Sequence, residues 1–144
     1  MVKIKILRLD KTIPLPEYAH KTDAGLDLLS SMDCILKPYE RKLVPTGIKV
    51  SIPEGYAGFV QPRSGLAIKH GIALVNSPGL IDSGYRGEIK VIMINLDKRS
   101  DFTIKKGDKI CQLVIKKIEK AEIVETDNLD ETDRNEGGFG STCI

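Results

Sequence analysis

The chain has 144 residues, 41% of them hydrophobic and 29% charged, and a net charge of +2 at pH 7. A chain this long suits one domain able to bury about 70% of its unfolded surface, and its composition is that of a globular protein rather than a disordered or membrane one. The basic excess is too small and too dispersed to point to a nucleic-acid partner, and no apolar run approaches the ~20 residues of a membrane helix.

Chain order then sets the fold expectation. Short alternating apolar runs predict strands over residues 2–9, 26–30, 41–52, 56–61, 71–76, 88–96, 102–104, 108–118 and 121–125, with Pro45 marking an edge or a bulge. "KPYE" (37–40), "PEG" (53–55) and "KKGD" (105–108) supply turns between them. "SGLAIKHG" (64–71) reads as one short helix with Ser64 as its N-cap and Gly71 as its stop. "VIMIN" (91–95) is apolar on both alternating faces, which suits a strand buried on both sides or one facing another subunit. Many short strands at this spacing imply an all-β sandwich, jelly roll or barrel. From about Thr126 the chain becomes a polar tail, so residues 1–125 read as the domain and 126–144 as a C-terminal arm.

The N-terminus "MVKIKILRLD" alternates charge with apolar residues, unlike a signal peptide. Cys34, Cys111 and Cys143 form no CxxC pair, and His20 and His70 stand in no zinc spacing. A cytoplasmic protein with structural thiols is the expectation.

Five stretches carry chemistry. "AGLDLLS" (24–30) sets Asp27 in a strand, where Asp is disfavoured, so it needs a turn, a cation partner or a metal held through water. "QPRSGLA" (61–67) offers Arg63, a bidentate donor, and the hydroxyl of Ser64 to an anion. "NSPGLIDSGYRGE" (76–88) is an elaborate hairpin with a carboxylate (Asp82), an aromatic (Tyr85) and a cation (Arg86). Its backbone groups can pair with a nucleobase edge, Tyr85 can pack on a sugar, and Asp82 can take a proton from water. "GDKICQL" (107–113) carries Gln112, which can orient a water, contact a phosphate or bond the backbone. In the tail, "RNEGGFGSTC" (134–143) combines Arg134, a glycine-rich backbone suited to an anion nest, Ser141, Thr142 and a stacking ring, Phe139. It lacks the GK[ST] of a Walker loop. A nucleoside polyphosphate with Mg²⁺ answers all five.

"AGLDL", "PRSGLAIKHGI", "NSPGLIDSGYRGE", "GDKICQLVI" and "RNEGGFGSTC", in that order from residue 24 almost to the C-terminus, resemble the five motifs of the trimeric, all-β dUTPases. The resemblance implies a distorted jelly-roll β barrel, a homotrimer whose three sites each draw on all three chains, and Mg²⁺-dependent hydrolysis of dUTP to dUMP and pyrophosphate by water attack at the α-phosphorus. Such an activity limits uracil incorporation into DNA and supplies dUMP for dTMP synthesis.

The resemblance also implies roles. Asp82 would activate water, and Asp27 would hold Mg²⁺ through water. Tyr85 would stack on the deoxyribose and leave no room for a 2′-hydroxyl, while Asn76 and the backbone at Gly79 and Ile81 would read uracil. Arg63, Ser64, Gly65 and Gln112 would meet the phosphates or the attacking water. From the arm, Phe139 would stack over uracil as Arg134, Gly138, Gly140, Ser141 and Thr142 close on the phosphates.

The chain departs from the motif at Asn135 and Cys143, where glycine is usual. Asn tolerates left-handed backbone angles, so a turn at 135 can survive. Two rivals share the scaffold, a dCTP deaminase and a non-catalytic nucleotide-sensing protein. The complete hairpin and tail, with Asp27 and Asp82 retained, speak against both.

Overall fold

The computed structural model describes residues 2–138. Ten strands and one short helix form an all-β, jelly-roll-like fold: β1 (Lys5–Arg8), β2 (Leu26–Leu29), β3 (Cys34–Leu36), β4 (Arg41–Ser51), β5 (Tyr56–Pro62), α1 (Ser64–His70), β6 (Ile72–Leu74), β7 (Gly79–Ile81), β8 (Glu88–Asn95), β9 (Phe102–Ile104) and β10 (Lys109–Lys117). The strands lie in two four-stranded antiparallel sheets, ordered β1-β4-β8-β6 and β2-β10-β5-β7, and a two-stranded β3-β9 ribbon.

Alternation builds the core. Ile89, Val91 and Met93 on β8 and Val44, Ile48 and Val50 on β4 face Leu26 and Leu28 on β2, Val60 on β5 and Leu113 on β10, while Leu36 and Ile104 seal one end from the ribbon. The few buried polar groups are bonded: Thr46 Oγ1 donates to Ile89 O at 2.7 Å, and Asn95 Nδ2 donates to Leu36 O at 3.0 Å and Ser100 O at 2.9 Å. Among the described residues no buried side-chain nitrogen or oxygen lacks a partner, as a packed interior requires.

Pro45 lies within β4 opposite Lys90 of β8, beyond the stretch of β4 that pairs with β1 (Ile48–Ser51), and it stands at a bulge. The β4–β8 register shifts between Pro45 and Lys49, and Gly47 takes φ +70° there. The expected turns form with positive φ at Gly55 and Gly107, but "KPYE" turns on Tyr39 at φ +60°, a non-glycine residue. α1 ends as expected on a left-handed Gly71, whose N–H donates to Ala67 O at 3.0 Å. Its N-cap is Arg63 with extended angles and no side-chain cap bond, so Ser64 is the first helical residue and not the cap.

Three strand expectations need correction. Residues 121–125 form no strand, and Ile123 is 95% exposed. β10 already has β2 on one side and β5 on the other, so the alternating run finds no ladder partner there. β3 and β7, three residues each, went unpredicted; β7 lies within the Gly/Pro-rich connection read as hairpin. On β8 only one face is buried outright, since Ile92 and Ile94 are half-exposed. After β10 the chain runs from Ile118 to Gly138 without helix or strand, and no helix among the described residues is long and apolar enough to cross a membrane.

Candidate active site

The functional residues fall into two groups at neighbouring parts of one sheet. In the first, β10 lies between β2 and β5 with Gln112 opposite Asp27 on one side and Gln61 on the other. That register, joining positions 85 apart in sequence, lets Gln112 Nε2 reach Asp27 Oδ1 at 3.3 Å. Gly25 packs closely beside it: a Cβ there would stand 3.1 Å from Gln112 Cβ, a tight contact. Asp27 is buried, at 5% exposure, and its charge is compensated: Lys109 Nζ lies 2.7 Å from Oδ2 and Arg63 Nε 3.5 Å from Oδ1. Burial pushes the Asp27 carboxyl up, but the Lys109 hydrogen bond, with the nearby Arg63 and Lys109 charges and Gln112, outweighs it and holds the group below the ordinary carboxylate value.

Asp27 thus has two cation partners, Lys109 and Arg63. Lys109 does two things here, since its carbonyl also accepts from Arg63 Nη1 at 3.1 Å. Sequence reasoning gave Lys109 no role; its place within "GDKICQL", three residues before Gln112, was the available signal. Arg63, Ser64, Gly65 and Gln112 line an open cavity of 400 Å³ at the start of α1. Gly65 has no positive φ, and a Cβ there would meet only open space. Nothing in the single chain requires glycine at 65. Beneath the cluster, burial pushes the Cys111 thiol up to about 12, with Asp27 acting the same way against Arg63. Cys111 is a packed side chain, as expected, and not a nucleophile.

The second group is the hairpin. Asn76, Gly79, Ile81, Asp82 and Tyr85 line a separate cavity of 320 Å³, against β8, near the small end of ligand-pocket volumes. β7 is the last strand of its sheet, so one row of its backbone groups has no strand partner. Asp82 and Tyr85 are exposed. The tip is held by its own short-range bonds: Tyr85 N donates to Asp82 O at 3.1 Å, Arg86 Nη1 to Ser83 O at 2.6 Å and Tyr85 O at 2.8 Å, and Tyr85 Oη to Glu88 O at 3.0 Å. Exposed Leu43 and Leu80 stand on the rim of the same cavity.

The two groups do not share a cavity: Asp82 and Tyr85 line one, Arg63 and Gln112 the other. The described part of the arm lines neither of these cavities, so Arg134 and Gly138 are not brought to either group. Asn135 takes φ +38°, bearing out its tolerance of left-handed angles. It exchanges bonds with Thr132, accepting from Thr132 N at 2.8 Å and donating its own N–H to Thr132 Oγ1 at 3.0 Å, while Arg134 Nε donates to Gly137 O at 2.8 Å. Gly138, like Gly65, has open space where a Cβ would sit. Phe139, Gly140, Ser141 and Thr142 lie outside the described residues, as does Cys143. Among the described residues no cluster of three His, Cys, Asp or Glu side chains could cage a metal ion.

With this jelly-roll-like scaffold and its divided site in hand, the comparisons with known proteins settle the class. The dUTPase family profile matches residues 11–143. The chain is 57% identical over 141 residues to the deoxyuridine 5′-triphosphate nucleotidohydrolase of Clostridium kluyveri, covering 98% of each. It is 52% identical to that of Thermobifida fusca, covering 98% of this chain and 79% of the relative. Among solved structures it is similar to a mutant dUTPase of Staphylococcus bacteriophage 80alpha with dUpNHpp, at TM-score 0.90 and 30% identity over 99% of each chain. It is also similar to a mutant dUTPase of phage phi11 of S. aureus described with a structural Mg(II) ion, at TM-score 0.83 and 29% identity, over 90% of this chain and 99% of that one. The chain belongs to the dUTPase family.

Proposed function

We propose that this protein hydrolyses dUTP to dUMP and pyrophosphate. The reading is carried by the full-length similarity to a dUTPase that holds the dUTP analogue dUpNHpp. The two groups of residues divide the work. The hairpin takes the nucleoside: Asn76 and the free backbone edge at Gly79 and Ile81 pair with uracil, and Tyr85 abuts the deoxyribose. Arg63, Ser64, Gly65 and Gln112 take the phosphates, with Asp27 and Lys109 holding Arg63 in place. Asp82 accepts a proton from water as the water oxygen attacks the α-phosphorus. The bond from that phosphorus to the bridging oxygen breaks, and pyrophosphate leaves. Catalysis of this kind rests on positioning and charge neutralisation more than on covalent chemistry.

Mg²⁺ fits this arrangement as an ion carried mainly by the triphosphate, which it would neutralise and orient. The chain has one carboxylate for it, Asp27, whose Oδ1 makes only long contacts of 3.3 and 3.5 Å and so retains acceptor capacity for an ion-bound water. Asp27 already answers two cations, so its part is an outer one.

The nucleoside and phosphate groups line different cavities of one chain, which supports a site completed by a hairpin from one copy and an Arg63 cluster from another. A homotrimer supplies that pairing, with the 126–144 arm closing on a site: Phe139 stacks over uracil, and Arg134, Gly138, Gly140, Ser141 and Thr142 meet the phosphates. Exposed Leu43, Val75 and Leu80 around the hairpin supply apolar surface for a neighbouring copy.

The test incubates the purified protein with Mg²⁺ and dUTP, dCTP, UTP or dTTP, and measures pyrophosphate and ammonia separately. Pyrophosphate from dUTP alone is expected. Ammonia from dCTP would replace this reading with deamination, and no product from any of them would leave a binding protein.

A further inference from the structure

Gly87 has no backbone reason to be glycine. Its φ lies outside the left-handed region, unlike Gly47, Gly55, Gly71 and Gly107. The reason is a side chain two residues earlier. The Tyr85 ring, in the connection between β7 and β8, turns toward the start of β8 and occupies the space where a Cβ at 87 would sit, with Cε2 at 2.9 Å from that point and Cζ and Oη closer still. No other glycine of the hairpin is crowded so closely, since Gly84 faces open space and the nearest neighbour of Gly79 is at 3.4 Å. The ring is held at its far end, where Oη donates to Glu88 O at 3.0 Å, and the backbone that carries it is held where the Tyr85 N–H donates to Asp82 O at 3.1 Å.

We propose that Gly87 is a specificity-determining positioning residue: the missing side chain at 87 is what seats the Tyr85 ring where it excludes a 2′-hydroxyl. The proposal rests on the reading that Tyr85 abuts the sugar. A methyl at 87 cannot coexist with the present ring position, and the obstacle is an aromatic ring tethered by its hydroxyl rather than the loose end of a flexible chain. The ring must leave Gly87, break the Oη bond to Glu88, or both. A ring that has moved no longer presents the same wall to the sugar.

The experiment compares kcat/KM for dUTP and UTP in wild type, Gly87→Ala, Tyr85→Ala and the double variant. Discrimination of one hydroxyl by packing is worth on the order of a hundredfold. Gly87→Ala should cut the dUTP/UTP ratio by about tenfold or more, and adding it to Tyr85→Ala should change the ratio no further, as for two changes acting through one ring. An unchanged ratio in Gly87→Ala beside a reduced one in Tyr85→Ala overturns the proposal and leaves the sugar contact standing. A full further loss in the double variant also overturns it. An unchanged ratio in Tyr85→Ala overturns the sugar contact, and the proposal with it. If Gly87→Ala does not fold, recovery of the fold in the Tyr85→Ala background supports the clash, and failure there contradicts it.

Discussion

The hairpin and the Arg63 cluster are built by opposite means. Every bond that shapes the hairpin tip spans three residues or fewer: Tyr85 to Asp82, Arg86 to Ser83, Tyr85 to Glu88. The cluster is a long-range device, in which Arg63 meets the carbonyl of Lys109 across 46 positions and Gln112 meets Asp27 across 85. The hairpin is exposed and presents a carboxylate without an ion-pair partner among the described residues, whereas the Asp27 carboxylate is buried and flanked by two cations. A group that must exchange a proton with water is best left free and open. A group that must aim an arginine is best buried and fixed. The difference in construction thus follows the difference in proposed role.

The largest effect should come from the open side. Asp82→Asn keeps size and polarity but cannot take a proton, so dUTP should still bind while kcat falls by about 10²–10⁴, the usual share of a positioned base. Isothermal titration of a non-hydrolysable analogue beside steady-state turnover checks both halves. Unchanged turnover would take the base away from Asp82 and blur the contrast between the two regions.

A smaller effect should come from the buried side. Lys109→Met removes one of the two cations at Asp27, and kcat/KM should fall by about tenfold through looser seating of Arg63. The pH dependence carries a sign. With its folded value lowered, ionised Asp27 contributes stability that is present above its ordinary value and lost as pH falls through the lowered one. Without Lys109 the carboxyl protonates at higher pH, so both activity and thermal midpoint should begin to fall at higher pH on acidification. Lys109→Arg should restore most of this. A pH profile identical to wild type would show Lys109 to be a surface residue only.

The smallest effect lies outside both regions. Lys106 pairs with Asp10 at 2.5 Å, and Thr12 bonds the same carboxylate. The Lys106 hydrogen bond, then those of Thr12, hold Asp10 at about 2, below its ordinary 3.8. This exposed pair contributes stability above pH 3.8 that is lost as pH falls from there toward 2. Asp10→Asn should flatten the thermal midpoint between pH 4 and pH 2 and leave turnover of dUTP unchanged, which makes it a control for the other two.

The same contrast explains what could be read in advance. The hairpin's Asp82, Tyr85 and Arg86 stand close in sequence, so one stretch showed the whole local constellation. Asp27 and Gln112 were each legible as residues in need of a partner, yet nothing local tells that they are partners of each other. That requires the antiparallel register of β2 and β10. Lys109 was missed for the same reason, because a lysine at a strand start is ordinary until the strand beside it is known. The tight packing at Gly87 was hidden differently: spacing shows a glycine near a tyrosine but not which way the ring turns. Strand prediction failed where local pattern and ladder disagree. The run at 121–125 alternates well and finds no partner, while β7 looks like turn and pairs with β5 across Gly58, Phe59 and Val60.

The central claim is that hairpin and Arg63 cluster from different copies make one site. It is tested most directly by unfolding together, refolding and assaying an equimolar mixture of Asp82→Asn and Arg63→Ala chains, each inactive alone. If each site takes its hairpin from one copy and its Arg63 from another, random reassembly pairs an intact hairpin with an intact cluster in about one site in four, and the mixture should recover about a quarter of wild-type dUTP hydrolysis. If the mixture stays as inactive as its components, each chain carries its own complete site and the account is wrong.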